Sequence, residues 1–167
     1  MKYTYLLINI GTILIPFLFS FEKQIKFFRK WRNVFPAILL TGIYFVLWDI
    51  IFTNIGIWSF NPNYLTGISV FNLPLEEILF FITIPYAYLF IYEVIKFYLN
   101  FSQDSVFLKR TNIILGLFLL LIGILNLDQM YTSVNFISTA ILLFLIEISN
   151  IRYYKTHFYI SFLISLI

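Results

Sequence analysis

The chain has no cysteine, a single histidine and very few charges: Asp, Glu, Lys and Arg make up 11% of its 167 residues. Without cysteine there is neither a disulfide framework nor a thiolate metal site. His157 alone builds no metal centre and no Ser-His-Asp set; beside Arg152 and Lys155 it reads as an interfacial loop residue. The six glycines form no phosphate-cradling loop and no dinucleotide fingerprint, and no Asp-rich pair has the spacing of a magnesium–diphosphate site. No metal and no cofactor is expected. Charge this scarce also excludes an ordinary soluble domain, which carries about 25% charged residues. What is present instead is apolar: 61% of residues are hydrophobic and 22% aromatic. A chain of this length cannot bury that much apolar surface within itself, so it reads as an integral membrane protein. The formal charge of +3 sits in short stretches between apolar runs, which argues against a nucleic-acid partner.

A membrane-spanning helix needs roughly 17–25 mostly apolar residues. Residues 3–21 meet this, with only Lys2 in front and no small-residue cleavage site behind, so they read as a retained span rather than a signal peptide. Further runs cover 34–52, 74–99, 112–127 and 131–149, and a sixth begins at Phe158 and stops with the chain at Ile167. Basic residues follow spans one (Lys23, Lys26, Arg29, Lys30, Arg32), three (Lys109, Arg110) and five (Arg152, Lys155), whereas spans two and four are followed by neutral or acidic stretches. The positive-inside rule then places the N-terminus outside. The expectation is an all-α, polytopic transmembrane helix bundle of about five full spans plus a partial sixth, in the cell (cytoplasmic) membrane. Asn100-Phe101-Ser102 fits a glycosylation sequon, but on the inner side it is not expected to be used. Glu93 and Lys96, three residues apart, are expected to pair.

Spans one and five share a Tyr-Thr opening, an early Asn (Asn9, Asn135) and a basic aromatic stretch behind them. This suggests a parallel internal repeat within one membrane domain: a first half over 1–100, a linker span over 101–128 and a second half over 129–167 that stops before its counterpart of the acidic stretch.

That acidic stretch is Asn72-Leu73-Pro74-Leu75-Glu76-Glu77, followed by Phe80 and Phe81. One reading is local: Asn72 caps a helix, Pro74 suits its first turn, and Glu76 and Glu77 favour the positive end of its dipole. The other is chemical, because carboxylates at membrane depth cost roughly 2.5–3.5 kcal/mol each and mark functional sites by default. Successive helical residues lie about 100° apart, so one carboxyl meets a neighbour such as Asp49 while the other faces a pocket. Phe45, Trp48 and Phe52 on span two, and Phe80 and Phe81 on span three, form an aromatic wall. The uncharged stretch 53–72, with Trp58, reads as an interface-hugging cap. A protonated carboxyl in a dry aromatic pocket suits proton transfer to an alkene, with π faces stabilising the resulting cation.

Pro74-Leu75-Glu76-Glu77 with Phe80, Phe81 and Pro85 resembles the Pro-x-Glu-Glu motif of the small membrane lycopene cyclases. These occur as heterodimeric or fused bacterial and archaeal proteins and as a domain of bifunctional fungal proteins. Trp48-Asp49 and the 56–62 stretch Gly-Ile-Trp-Ser-Phe-Asn-Pro look like the same family. The resemblance implies carotenoid biosynthesis: redox-neutral cyclisation of the ψ-ends of lycopene to β-ionone rings, catalysed by an intramolecular lyase or isomerase. It implies Glu76 and Glu77 as catalytic residues and Asp49 as their proton partner. Fused members carry a second acidic motif in their last span, which this sequence lacks, so the resemblance also implies an incomplete C-terminal half and a need for a second cyclase half or a homo-oligomer. Two other readings stay open: a carotenoid hydratase, in which water traps the same cation, and a non-catalytic carotenoid- or lipid-binding subunit.

Overall fold

The computed structural model describes residues 2–99, 106–149 and 155–165. Among them are six α-helices: α1 (Thr4–Phe19), α2 (Trp31–Asn54), α3 (Leu75–Tyr98), α4 (Val106–Leu125), α5 (Met130–Ile148) and α6 (Lys155–Ser165). Four helical stretches are long and apolar enough to cross a membrane: residues 27–54, which include α2, then α3, residues 107–125 of α4, and α5. The first span is shorter than expected. At 16 residues α1 extends about 24 Å, short of the roughly 30 Å hydrocarbon core. It ends because the Ser20 N–H turns back to Phe17 O at 3.2 Å. The chain divides into two compact units, residues 1–98 with 161–167, and residues 99–160.

In the first unit α1 and α2 both pack on α3. The basic stretch after α1 is not a plain loop. Lys26 takes a left-handed conformation, φ 49°, and starts a 3-10 turn over Phe27–Lys30 that runs into α2. Phe27 is fully buried, edge-on against Tyr86 (5.5 Å) and Phe90 (5.8 Å). The turn is thus anchored by a ring inserted into the core. Glu93 pairs with Lys30 of this turn, a partner from another element, and Lys96 lies with its Nζ 6.0 Å from the Tyr92 ring centroid.

Between α2 and α3 the chain forms a small antiparallel hairpin, β1 (Ser69–Val70) with β2 (Leu73–Pro74), in register Ser69 to Pro74 and Val70 to Leu73. Phe71 turns it at φ 56°. This overturns the expected capping role of Asn72. Its amide donates to Ile50 O at 3.0 Å and Asn54 Oδ1 at 2.9 Å, so it ties the hairpin to the end of α2. Pro74 is in the strand and α3 starts one residue later.

In the second unit α4 and α5 form a helical hairpin. Its turn is closed by Gln129 N–H to Asn126 O at 3.0 Å. Two glycines let the helices approach: a Cβ on Gly116 would lie 2.7 Å from Phe144 Cε1, and one on Gly123 would lie 2.7 Å from Ile137 Cγ1. Lys155 and His157 are not loop residues. Both are buried in α6; Lys155 pairs with Glu147 at 2.7 Å, and a His157 ring nitrogen meets Leu99 O at 2.6 Å. A cationic or imidazole group in an apolar setting finds a partner because leaving one unpaired is costly. Arg152 and the sequon at Asn100 lie outside the described residues.

Candidate active site

Glu76 and Glu77 occupy the first turn of α3, directly after the hairpin. Glu76 is fully buried. Its Oε1 accepts the backbone N–H of Thr66 at 2.6 Å, so the 55–72 segment folds back over it. Gly67, at φ 91°, makes that reversal, a conformation an L side chain would resist. The other oxygen, Oε2, is buried without a hydrogen-bond partner. Glu77, about 100° round the helix, is half-buried and accepts the Tyr5 hydroxyl of α1 on its Oε2.

Asp49 comes from α2 and is 4% exposed. Its Oδ2 is likewise buried without a hydrogen-bond partner. The Trp58 indole, whose N–H donates to Thr53 Oγ1 at 3.0 Å, also faces the Asp49 carboxylate. Asp49 lies within electrostatic reach of Glu77, and the Tyr5 hydroxyl within reach of all three carboxyls. The structure therefore brings Asp49, Glu76 and Glu77 into one cluster at the meeting of α1, α2 and α3. Among the described residues no group of three or more His, Cys, Asp or Glu side chains could hold a metal ion.

The aromatic candidates form a continuous series around this cluster. Trp58 lies against Phe52 (5.3 Å), Phe52 stacks on Trp48 (4.9 Å, 12°), and Trp48 meets Tyr44 (6.1 Å). Tyr44 meets Phe45 (5.3 Å) and Phe45 stacks on Phe81 (5.9 Å, 7°). Phe81 meets Phe80 (6.3 Å), and Phe80 meets Tyr5 (6.2 Å). One end of the series is the indole beside Asp49; the other is the phenol on Glu77.

Tyr5 and Tyr44 are members the sequence reading omitted. So is Asn9 as a site residue: its amide donates to Tyr5 O and to Glu76 O, each at 3.1 Å, and its Oδ1 accepts the Thr83 hydroxyl at 2.7 Å. The available signal was the pairing of two polar side chains one turn apart, Tyr5 and Asn9, on an otherwise apolar helix.

In the second unit the Glu147 side chain on α5, 7% exposed, has both carboxylate oxygens partnered. Lys155 Nζ lies 2.7 and 2.8 Å from its two oxygens, and Asn112 donates to Oε1. A cleft of about 460 Å³ opens beside it, lined by Lys109, Ile113, Phe144, Glu147 and Ile148. With both oxygens engaged, Glu147 has the character of a structural ion pair. The acid cluster of the first unit differs in leaving two carboxylate oxygens, Glu76 Oε2 and Asp49 Oδ2, buried without a hydrogen-bond partner.

The family model described as lycopene cyclase matches residues 2–95 and 128–167, most of the chain. A bifunctional lycopene cyclase/phytoene synthase from Aspergillus oryzae (strain ATCC 42149 / RIB 40) is 23% identical over 94 residues, covering 56% of this chain. The aligned part is 16% of that curated relative's length. No solved structure matches.

Proposed function

The chain belongs to the lycopene cyclase family, and on that footing we propose that it cyclises the ψ-ends of lycopene or a related carotenoid to β-ionone rings. A carboxylic acid of the cluster adds a proton to the terminal double bond. The cation is attacked by an internal double bond, which closes the ring. A proton is then lost to a carboxylate, so the step is redox-neutral and needs no external oxidant or reductant. Glu76, Glu77 and Asp49 are the proton-handling residues. Phe45, Trp48, Phe52, Trp58, Phe80 and Phe81 line the substrate end, where their π faces offset the developing positive charge.

The observation that carries this reading is the pair of buried carboxylate oxygens with no hydrogen-bond partner, Glu76 Oε2 and Asp49 Oδ2, flanked by an unbroken aromatic series. Reaction needs both a proton donor and a proton acceptor, and the cluster supplies more than one carboxyl. The chain is a multi-pass protein of the cytoplasmic membrane with its N-terminus outside, because its basic stretches alternate. The family match omits residues 96–127, which supports α4 as a linker between two cyclase halves. A further half, or a second copy, completes the working unit.

The test is expression in lycopene-accumulating cells, beside Glu76→Gln and Glu77→Gln. Monocyclic and bicyclic carotenes from the parent, lost in both variants, support the proposal. Unchanged lycopene from the chain with every partner half supplied, or variants as active as the parent, defeats it. Hydroxylated acyclic products assign a hydratase instead, and unchanged carotenoid co-purifying with the chain assigns a binding subunit.

A further inference from the structure

Resting on the assignment of Glu77 to the reaction, we infer that helix α1 is a positioning arm, in which Tyr5 orients the Glu77 carboxyl and Asn9 sets the register of α1 against α3. Polar side chains on an apolar helix are costly unless partnered. Tyr5 and Asn9 lie four residues apart, hence on one face of α1, and both reach the first three turns of α3.

Asn9 is 2% exposed, and its side chain makes three hydrogen bonds. Both amide hydrogens are committed, one to its own helix at Tyr5 O and one across to Glu76 O, and its oxygen takes the Thr83 hydroxyl. Sliding α1 by one residue along α3, about 1.5 Å, would break the two bonds that cross between helices. This side chain therefore helps to set the offset of the two helices at the acid-cluster end. It delivers the Tyr5 hydroxyl to Glu77 Oε2.

Glu77 sits in a first helical turn and has three side-chain torsions. Tyr5 pins one oxygen of its carboxyl, and the Tyr5 ring itself joins the aromatic series at Phe80. A reacting carboxyl held in one orientation keeps the near-attack geometry that proximity catalysis depends on. Tyr5 and Asn9 thus act through Glu77 and are positioning residues.

Tyr5→Phe removes only the hydroxyl and keeps the ring packing. In membranes containing the full chain, kcat for cyclisation is expected to fall about 10- to 100-fold, the range for losing one hydrogen bond to a charged group. KM stays within about twofold, because substrate contacts are retained. Thr83→Val, which deprives Asn9 of one bond, gives a smaller fall of about 3- to 10-fold. Tyr98→Phe, whose hydroxyl donates to Gln24 at 3.3 Å, keeps the parental kcat and KM. Infrared spectra of the purified chain supply a readout independent of turnover: the carboxyl band removed by Glu77→Gln moves in Tyr5→Phe and stays put in Tyr98→Phe. Parental kcat in Tyr5→Phe, or an unmoved band, overturns the inference. If the parent leaves lycopene unchanged with every partner half supplied, the proposed function fails, and the band alone decides whether Tyr5 orients Glu77.

Discussion

The hydroxyls of Ser20 and Tyr86 meet at 2.6 Å where α1 ends. Ser20 donates onward to Pro16 O at 2.6 Å, and the Trp31 indole N–H donates to Tyr86 Oη at 3.1 Å. The direction of the chain follows: Trp31 to Tyr86 to Ser20 to Pro16. Helix ends leave carbonyls without intrahelical partners, and here the Pro16 carbonyl is served by a side chain. One network thus closes α1, starts α2 and crosses α3.

Tyr86→Phe is expected to lower stability by about 1–3 kcal/mol, because Trp31 and Ser20 each lose a buried partner while ring packing is kept. Thermal unfolding of the purified protein in detergent measures it. The acid cluster lies ten residues, about 15 Å, from Tyr86 along α3, so turnover per folded molecule stays at the parental level.

Gly67→Ala tests the segment folded over Glu76. At φ 91° the added Cβ meets no neighbour within 4 Å, so the penalty is purely conformational, about 1–2 kcal/mol. The segment relaxes and withdraws the Thr66 N–H from Glu76. The expected outcomes are faster limited proteolysis within 55–72 and an activity loss of about tenfold, comparable to one charged hydrogen bond.

Lys155→Met leaves Glu147 buried without its cation. The side chains of this pair are 9% and 7% exposed, and breaking a buried pair costs about 3–5 kcal/mol. Adding Glu147→Gln to Lys155→Met is expected to recover much of the loss. A double-mutant cycle of unfolding free energies measures the coupling.

Gly11 and Gly123 respond in opposite directions to alanine. Nothing lies within 4 Å of a Cβ on Gly11, whereas one on Gly123 meets Ile137 Cγ1 at 2.7 Å and Ser133 O at 3.2 Å. Gly11→Ala is expected to stabilise by about 0.4–1 kcal/mol, and Gly123→Ala to destabilise by about 1–3 kcal/mol. Melting temperatures of the two variants, measured side by side, check the sign of each.

The long helices were legible because apolar runs of sufficient length carry their own signal, and their bounds moved by only a few residues for α2, α3 and α5. The nearness of Asp49 to Glu77 was legible too, since they sit near the facing ends of consecutive helices, α2 and α3. Tyr5 escaped notice, and Asn9 was read only as a feature of the repeat, because their part in the site depends on where α1 crosses α3, a tertiary relation. Asn72 misled for a related reason. Its spacing suits a cap, but the chain enters α3 from a hairpin, and the amide is drawn to α2. His157 and Lys155 were misplaced by their polarity; specific partners in the second unit allow both to be buried in α6.

Phe27 and the Lys30–Glu93 pair join the basic turn rigidly to α3. From Glu93 to Glu76 the helix axis measures about 26 Å, so the turn works as a depth gauge. In the proposed topology, wherever its cations settle at the membrane surface, the carboxylates are held at a constant level on the far side of the hydrocarbon. A thicker or thinner bilayer would then be met by tilting the three-helix unit as one body, and the chemistry would keep its depth relative to the turn in membranes of different composition.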